Sequence, residues 1–216
     1  MSGKQDALII RARDSFAQGD LSTTRALCLQ VLAKSPDSVD AHLCLGAVLA
    51  RLNELERAET HFGEAIRVDP SRAKAYMNLG GLYLLQGRLE EAVTALRQGV
   101  ELDTECPEAH YNLGLAYRRQ GQNELAISEY REAIRVDPQL ADAHFNLANV
   151  MLETHYYKQA ICAYRRALQL RPGFERAETG LAQAQVALLR EKEKEEGSGN
   201  ASDWPERRPG AERRQD

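Results

Sequence analysis

The sequence predicts an all-α protein, a solenoid of five helix–turn–helix units closed by a capping helix, and three observations carry that prediction. First, small residues return at intervals of 34: Gly46, Gly80, Gly114 and Ala148 in one phase, Ala58, Ala92, Ala126 and Ala160 in a second, Ala65, Gly99, Ala133 and Ala167 in a third. Second, large side chains hold a phase of their own (Phe62, Leu96, Tyr130, Tyr164), and so does proline (Pro36, Pro70, Pro138, Pro172). Third, apolar residues within each interval recur at helical spacing in two runs with a short break between them. Together these mark a stacked helix-pair repeat. Such an array presents a surface and does not normally enclose a reaction centre.

With proline set at position 32, the units run 5–38, 39–72, 73–106, 107–140 and 141–174. The first is the most divergent, with Ala12, Thr24 and Val31 in the small-residue phases, but Gly19 and Pro36 fall in register. A terminal unit is free to drift because one flank faces water. In the second, Leu43, Leu45, Val48, Leu49 and Leu52 form one helical run, Asn53-Glu54 breaks it, and Leu55, Ala58, Phe62, Ala65 and Ile66 form the next before Asp69-Pro70. In the third, Thr104 replaces the proline, and Pro107 instead opens the following helix at a first-turn position that tolerates it. Gly19, Gly87 and Gly121 sit at the mid-unit turn, where a helix C-cap favours positive φ; Asn53 suits that place too, and His155 is the exception. The small phases let the two helices of a unit approach, so Ala92→Leu or Ala126→Leu should cost about 1–3 kcal/mol through overpacking.

The array is expected over 1–195, its capping helix over 175–195, where Leu181, Val186 and Leu189 can cover the fifth unit. From 196 to 216 the composition has no period and little to bury, so disorder is expected. Trp204 in that tail could be a short docking motif or incidental, and Asn200-Ala201-Ser202 has the form of a glycosylation acceptor that no secretory signal supports.

These phases resemble the tetratricopeptide repeat family, the likeness being strongest at Leu45-Gly46, Leu79-Gly80 and Leu113-Gly114 with Tyr83 and Tyr117 three residues after the glycine. The resemblance implies a right-handed solenoid whose first helices line a concave wall, and a role in protein–protein interaction. Many members grip a C-terminal carboxylate through a set of Lys, Asn and Arg. In the best frame here Ile9, Arg13, Cys44, Lys74 and Asn78 take those places and only Lys74 matches, so docking of that kind is not expected.

Composition narrows the function further. A net charge of −4 offers no general attraction to nucleic acid or an anionic membrane. The amino-terminal apolar run is too short for a secretory h-region and no stretch is long enough to span a bilayer, which makes the cytoplasm the expected location. Cys28, Cys44, Cys106 and Cys162 are far apart in sequence, as suits reduced thiols better than a disulfide framework or a zinc knuckle. His42, His110 and His144 share position 4 with Tyr76, a slot for rings, so packing accounts for them. No phosphate-binding glycine loop, nucleophile elbow or zinc-binding helix motif is present, so neither catalysis nor a metal or cofactor is expected.

One series asks for more than packing. Asn78, Asn112 and Asn146 occupy position 6 of units three, four and five, and Asn149 lies on the same helical face. Asparagine inside a helix costs about 0.5 kcal/mol against alanine, so its return needs a reason, either a ligand or a local hydrogen bond inherited by duplication. The row resembles the asparagine ladder of the O-linked N-acetylglucosamine transferase repeats, which implies amides holding a peptide backbone. An amide both donates and accepts, as an extended chain requires. Position 5 supplies Leu43, Met77, Tyr111 and Phe145 as an apolar floor, unless they pack between helices; Lys74, Arg118 and Arg119 add positive charge, offset by Asp40, Glu108, Asp142 and Glu153. The expected partner is thus a protein or peptide segment in extended form. The alternatives are a self-assembling scaffold and an accessory or substrate-recognition subunit of an enzyme such as a glycosyltransferase.

Overall fold

The computed structural model describes residues 2–199 of the chain, which form eleven α-helices and, among the described residues, no strand. They are α1 (Ser2–Ala17), α2 (Leu21–Leu32), α3 (Val39–Arg51), α4 (Leu55–Val68), α5 (Ala73–Gln86), α6 (Leu89–Leu102), α7 (Pro107–Arg119), α8 (Asn123–Val136), α9 (Ala141–Glu153), α10 (Tyr157–Leu170) and α11 (Glu175–Gly199). Consecutive helices pack in pairs, and each pair leans on the next. The last helix passes the expected boundary at 195 by four residues, and the rest of the predicted tail, Trp204 included, lies outside the described residues. No described helix is long and apolar enough to cross a membrane.

The chain reverses inside each unit through one left-handed residue: Gly19 (φ 82°), Asn53 (61°), Gly87 (74°), Gly121 (75°) and His155 (65°). His155 adopts the same conformation as the glycines despite its Cβ, and its Nδ1 lies 2.6 Å from the Tyr157 hydroxyl. Between units, the position-4 imidazoles reach back to the preceding turn: Nε2 of His42 lies 2.8 Å from the Pro36 carbonyl, that of His110 3.1 Å from Thr104 and that of His144 3.1 Å from Pro138. The histidines thus give a hydrogen-bond partner to a carbonyl of the inter-unit turn, which lies beyond the helix end.

The small and large phases turn out to be two halves of one contact. A Cβ placed on Gly46 would stand 2.5 Å from the Phe62 ring, and one on Gly80 2.5 Å from Leu96 Cγ. The position-24 side chain therefore fills the space that the position-8 glycine of its own unit leaves open. Odd-numbered helices also touch their counterparts in the next unit, from α1–α3 through α9–α11, whereas even-numbered ones do not touch one another. The stack must then curve with α1, α3, α5, α7 and α9 on its inner wall. The buried core divides within α5: Leu82 belongs to the cluster built from the first units, Leu84 to the one reaching α11.

Candidate functional site: the inner wall

Positions 2, 6 and 9 of each odd-numbered helix lie one turn apart and share a face, so the register brings residues of successive units together on the inner wall. Near the amino terminus they line an open cleft of about 350 Å³. Arg13 and Phe16 of α1, Asp40, Leu43, Cys44 and Ala47 of α3, and Lys74 and Asn78 of α5 surround it. Asp40 accepts from both Arg13 and Arg72 at 2.7 Å. Lys74 is exposed and Asn78 half-buried, and among the described residues neither side chain has a hydrogen-bond or ion-pair partner. Asn112, half-buried on α7, is likewise without a side-chain hydrogen bond among the described residues.

Asn146 is in the opposite state. It is 9% exposed, and its amide donates to the Tyr111 hydroxyl (3.1 Å) and to the Asp142 carbonyl (2.9 Å) while accepting from Arg118 Nη1 (3.3 Å). Arg118 also pairs with Glu153. Burial raises the Tyr111 phenol above its ordinary range, seconded by the nearby Asp142 carboxylate. That keeps the hydroxyl protonated. Asn149 accepts from the Tyr164 hydroxyl (2.7 Å), which leaves its own N–H groups open.

The floor residues divide as well. Phe145 is 5% exposed, its ring 4.8 Å from Phe174 and 6.1 Å from Tyr164 with the Arg176 guanidinium above it, so it offers almost no surface to a ligand. Met77 packs on Gly99, where an added Cβ would be 3.0 Å from its Cγ. Leu43 is 5% exposed, yet it lines the cleft. Tyr111 is half-buried. Of the residues singled out in the sequence, Lys74 and Asn78 meet in the cleft, and Tyr111, Arg118 and Asn146 meet in the network. Phe16 and Ala47 were not among them, and Arg13 and Cys44 were named only in the carboxylate-binding frame that did not fit, although positions 6, 9 and 12 carried into the first two units would have found all four.

A second set of clefts opens between the two helices of a unit, at one phase in units three and five. One, of about 420 Å³, is lined by Tyr76, Leu79, Tyr83 and Ala95; the other, of about 430 Å³, by His144, Leu147, Met151 and Ala163. At the phase that Ala95 and Ala163 hold, unit two carries His61, 2.9 Å from His42, and unit four Glu129, 2.7 Å from His110.

Residues 10–188 match the family model of the cilia and flagella-associated protein 70 C-terminal domain. No curated protein sequence matches the chain. Among solved structures, PilF of Pseudomonas aeruginosa is similar at a TM-score of 0.80 and 22% identity, covering 95% of this chain and 94% of that one. YrrB, described as a TPR protein with an unusual peptide-binding site, is similar at a TM-score of 0.64 and 21% identity, over 82% of this chain and 93% of that one. MamA is similar at a TM-score of 0.65 and 23% identity, over 74% and 93%.

Proposed function

We propose, because the chain belongs to the tetratricopeptide-repeat family of the cilia and flagella-associated protein 70 C-terminal domain, that it is a non-catalytic protein-interaction scaffold holding an extended partner segment along its inner wall. The observation that carries this reading is the open cleft in which Lys74 and Asn78 stand without partners among the described residues. An asparagine that costs a helix about 0.5 kcal/mol and recovers nothing internally is best explained by a ligand. YrrB's description as a peptide-binding TPR protein is consistent with that use of the fold.

In this reading Asn78 and Asn112 bond the backbone of the partner, each giving one donor and one acceptor, and Asn149 adds a donor. Lys74 attracts an acidic group, while Phe16 and Leu43 receive an apolar side chain. Asn146 acts indirectly by fixing Tyr111 and Arg118. The test is a pull-down from native lysate with the Asn78→Ala/Asn112→Ala double variant, read by mass spectrometry. Partner recovery should fall at least tenfold with helical circular dichroism intact; unchanged recovery would sink the groove reading.

The flank clefts of units three and five support a second reading, self-association through that face. Light scattering across a hundredfold range of concentration separates the two: a constant monomer mass removes it.

A further inference from the structure

The flank clefts of units three and five are one surface built twice. Their lining residues hold the same eight positions of the repeat: 4, 7, 11, 18, 19, 22, 23 and 26. Position 23 decides whether the cleft is open. His61 and Glu129 reach across from it to the position-4 histidine of units two and four, whereas Ala95 and Ala163 are too short to do so. One wall of each open cleft is a ridge on the second helix, where positions 18, 22 and 26 stand one turn apart and are exposed. On α6 the ridge is Glu90, Thr94 and Gln98; on α10 it is Lys158, Cys162 and Arg166.

The two ridges differ in sign. Glu91 is held by Arg88, which leaves Glu90 without an ion pair among the described residues. Lys158 has no ion pair among them either, and Arg166 bonds only to Gln169. Around them α10 carries no acidic residue, while α6 carries Glu90, Glu91 and Glu101 against Arg97. The floors differ to match. Unit three presents two rings, Tyr76 and Tyr83, and the Arg88 guanidinium already stands 4.2 Å from the centre of the second, so this floor accepts a cation. Unit five presents Leu147 and Met151 in place of one ring and its neighbour, an apolar floor with an adaptable member.

We propose that the occupant of these clefts is a second copy of the chain, joined through unlike faces: the α10 ridge of one copy enters the unit-three cleft of the other, and the α6 ridge enters the unit-five cleft. This rests on the self-association reading and gives it a direction. Ridge-into-groove packing buries the apolar floors, and Lys158 and Arg166 come against Glu90 and the tyrosine rings. Pairing like faces would set Glu90 against Glu90, or Lys158 and Arg166 against themselves, and such juxtapositions are what exclude a wrong partner. The complement lies on the same chain, at the same positions, so no other protein is needed to supply it. The inner wall, at positions 2, 6 and 9, stays free for a ligand.

The test is light scattering of the full chain at low salt over a hundredfold range of concentration, with Glu90→Lys, with Lys158→Glu and with an equimolar mixture of the two. Both sites are exposed, and helical circular dichroism checks each variant. The wild type should exceed the monomer mass, each variant should need about tenfold or more higher concentration to associate, and the mixture should recover the wild-type behaviour, because each variant then meets an opposite charge at both faces. A wild type that stays monomeric removes self-association and this pairing with it. If the wild type associates and either variant associates equally well, self-association stands and the pairing of unlike faces is overturned. Two weakened variants whose mixture stays weak overturn it as well, since the charges then do not meet each other.

Discussion

Asn78 on α5 and Asn146 on α9 hold the same phase of the repeat two units apart, on the same wall, and differ in what their amides touch. Asn78 faces an open cleft and is without a hydrogen-bond partner among the described residues, whereas Asn146 is 9% exposed and bonds to Tyr111, Asp142 and Arg118. The reason lies one unit back. Asn146 meets position 5 of the preceding unit, where Tyr111 carries a hydroxyl; the corresponding residue for Asn112 is Met77, and for Asn78 it is Leu43. Neither of those side chains offers an oxygen. Identical residues at identical phases thus become an available binding group in one half and a structural one in the other.

Removing the apolar anchor of the closed half should have the largest effect. Phe145→Ala strips a buried ring from between Phe174 and Tyr164 and is expected to lower stability by about 3–5 kcal/mol, read from urea unfolding. Met77→Ala, at the same phase in the open half, should cost clearly less because Met77 is only half-buried. Equal losses would mean that the two floors are packed alike.

The amides come next. Asn146→Ala leaves the Tyr111 hydroxyl without its partner and Arg118 with Glu153 alone, and should destabilise by about 1–3 kcal/mol. Asn78→Ala removes no internal bond and should be neutral or stabilising by about 0.5 kcal/mol. A similar loss at both positions would break the comparison.

The repeat made the architecture legible. Helix ends, mid-unit turns and the close approach at position 8 all follow from constraints that act within about one unit, and even His155 obeyed the turn its phase demanded. The state of the wall was harder to read because it depends on pairs of phases in different units. That Asn146 is engaged follows from a hydroxyl at Tyr111, 35 residues earlier, and that Phe145 is buried follows from Phe174 and Arg176 arriving after it. A phase read alone shows which residues share a face, and only the cross-unit pairing shows which of them are already satisfied.

A smaller change should convert one state into the other. Tyr111→Phe deletes the hydroxyl and keeps the ring, costing about 0.5–1.5 kcal/mol for the lost hydrogen bond. The Asn146 side-chain amide should then exchange faster with solvent in nuclear magnetic resonance spectra, approaching the behaviour of Asn112. Unchanged exchange would assign its protection to the Asp142 carbonyl alone.

The smallest expected effect concerns acid, to which each half contributes one half-buried histidine. His61 in unit two and His144 in unit five both have pKa values lowered from 6.5, chiefly by burial; for His61 the neighbouring His42 adds to the effect, while for His144 the Pro138 carbonyl partly opposes it. A histidine depressed in the folded state binds its proton more readily when unfolded. Its contribution is therefore complete above pH 6.5 and is lost as pH falls from there through the folded value. His61→Ala installs the residue that Ala95 and Ala163 supply at this phase, so it should fold, and it should remove the part of the acid loss that belongs to the amino-terminal half. His144 should retain its own share, leaving a shallower decline in the unfolding midpoint between pH 7 and pH 5. If the slope is unchanged in His61→Ala, the acid sensitivity lies outside the His42–His61 contact, and the flank of unit two is not the titrating element of its half.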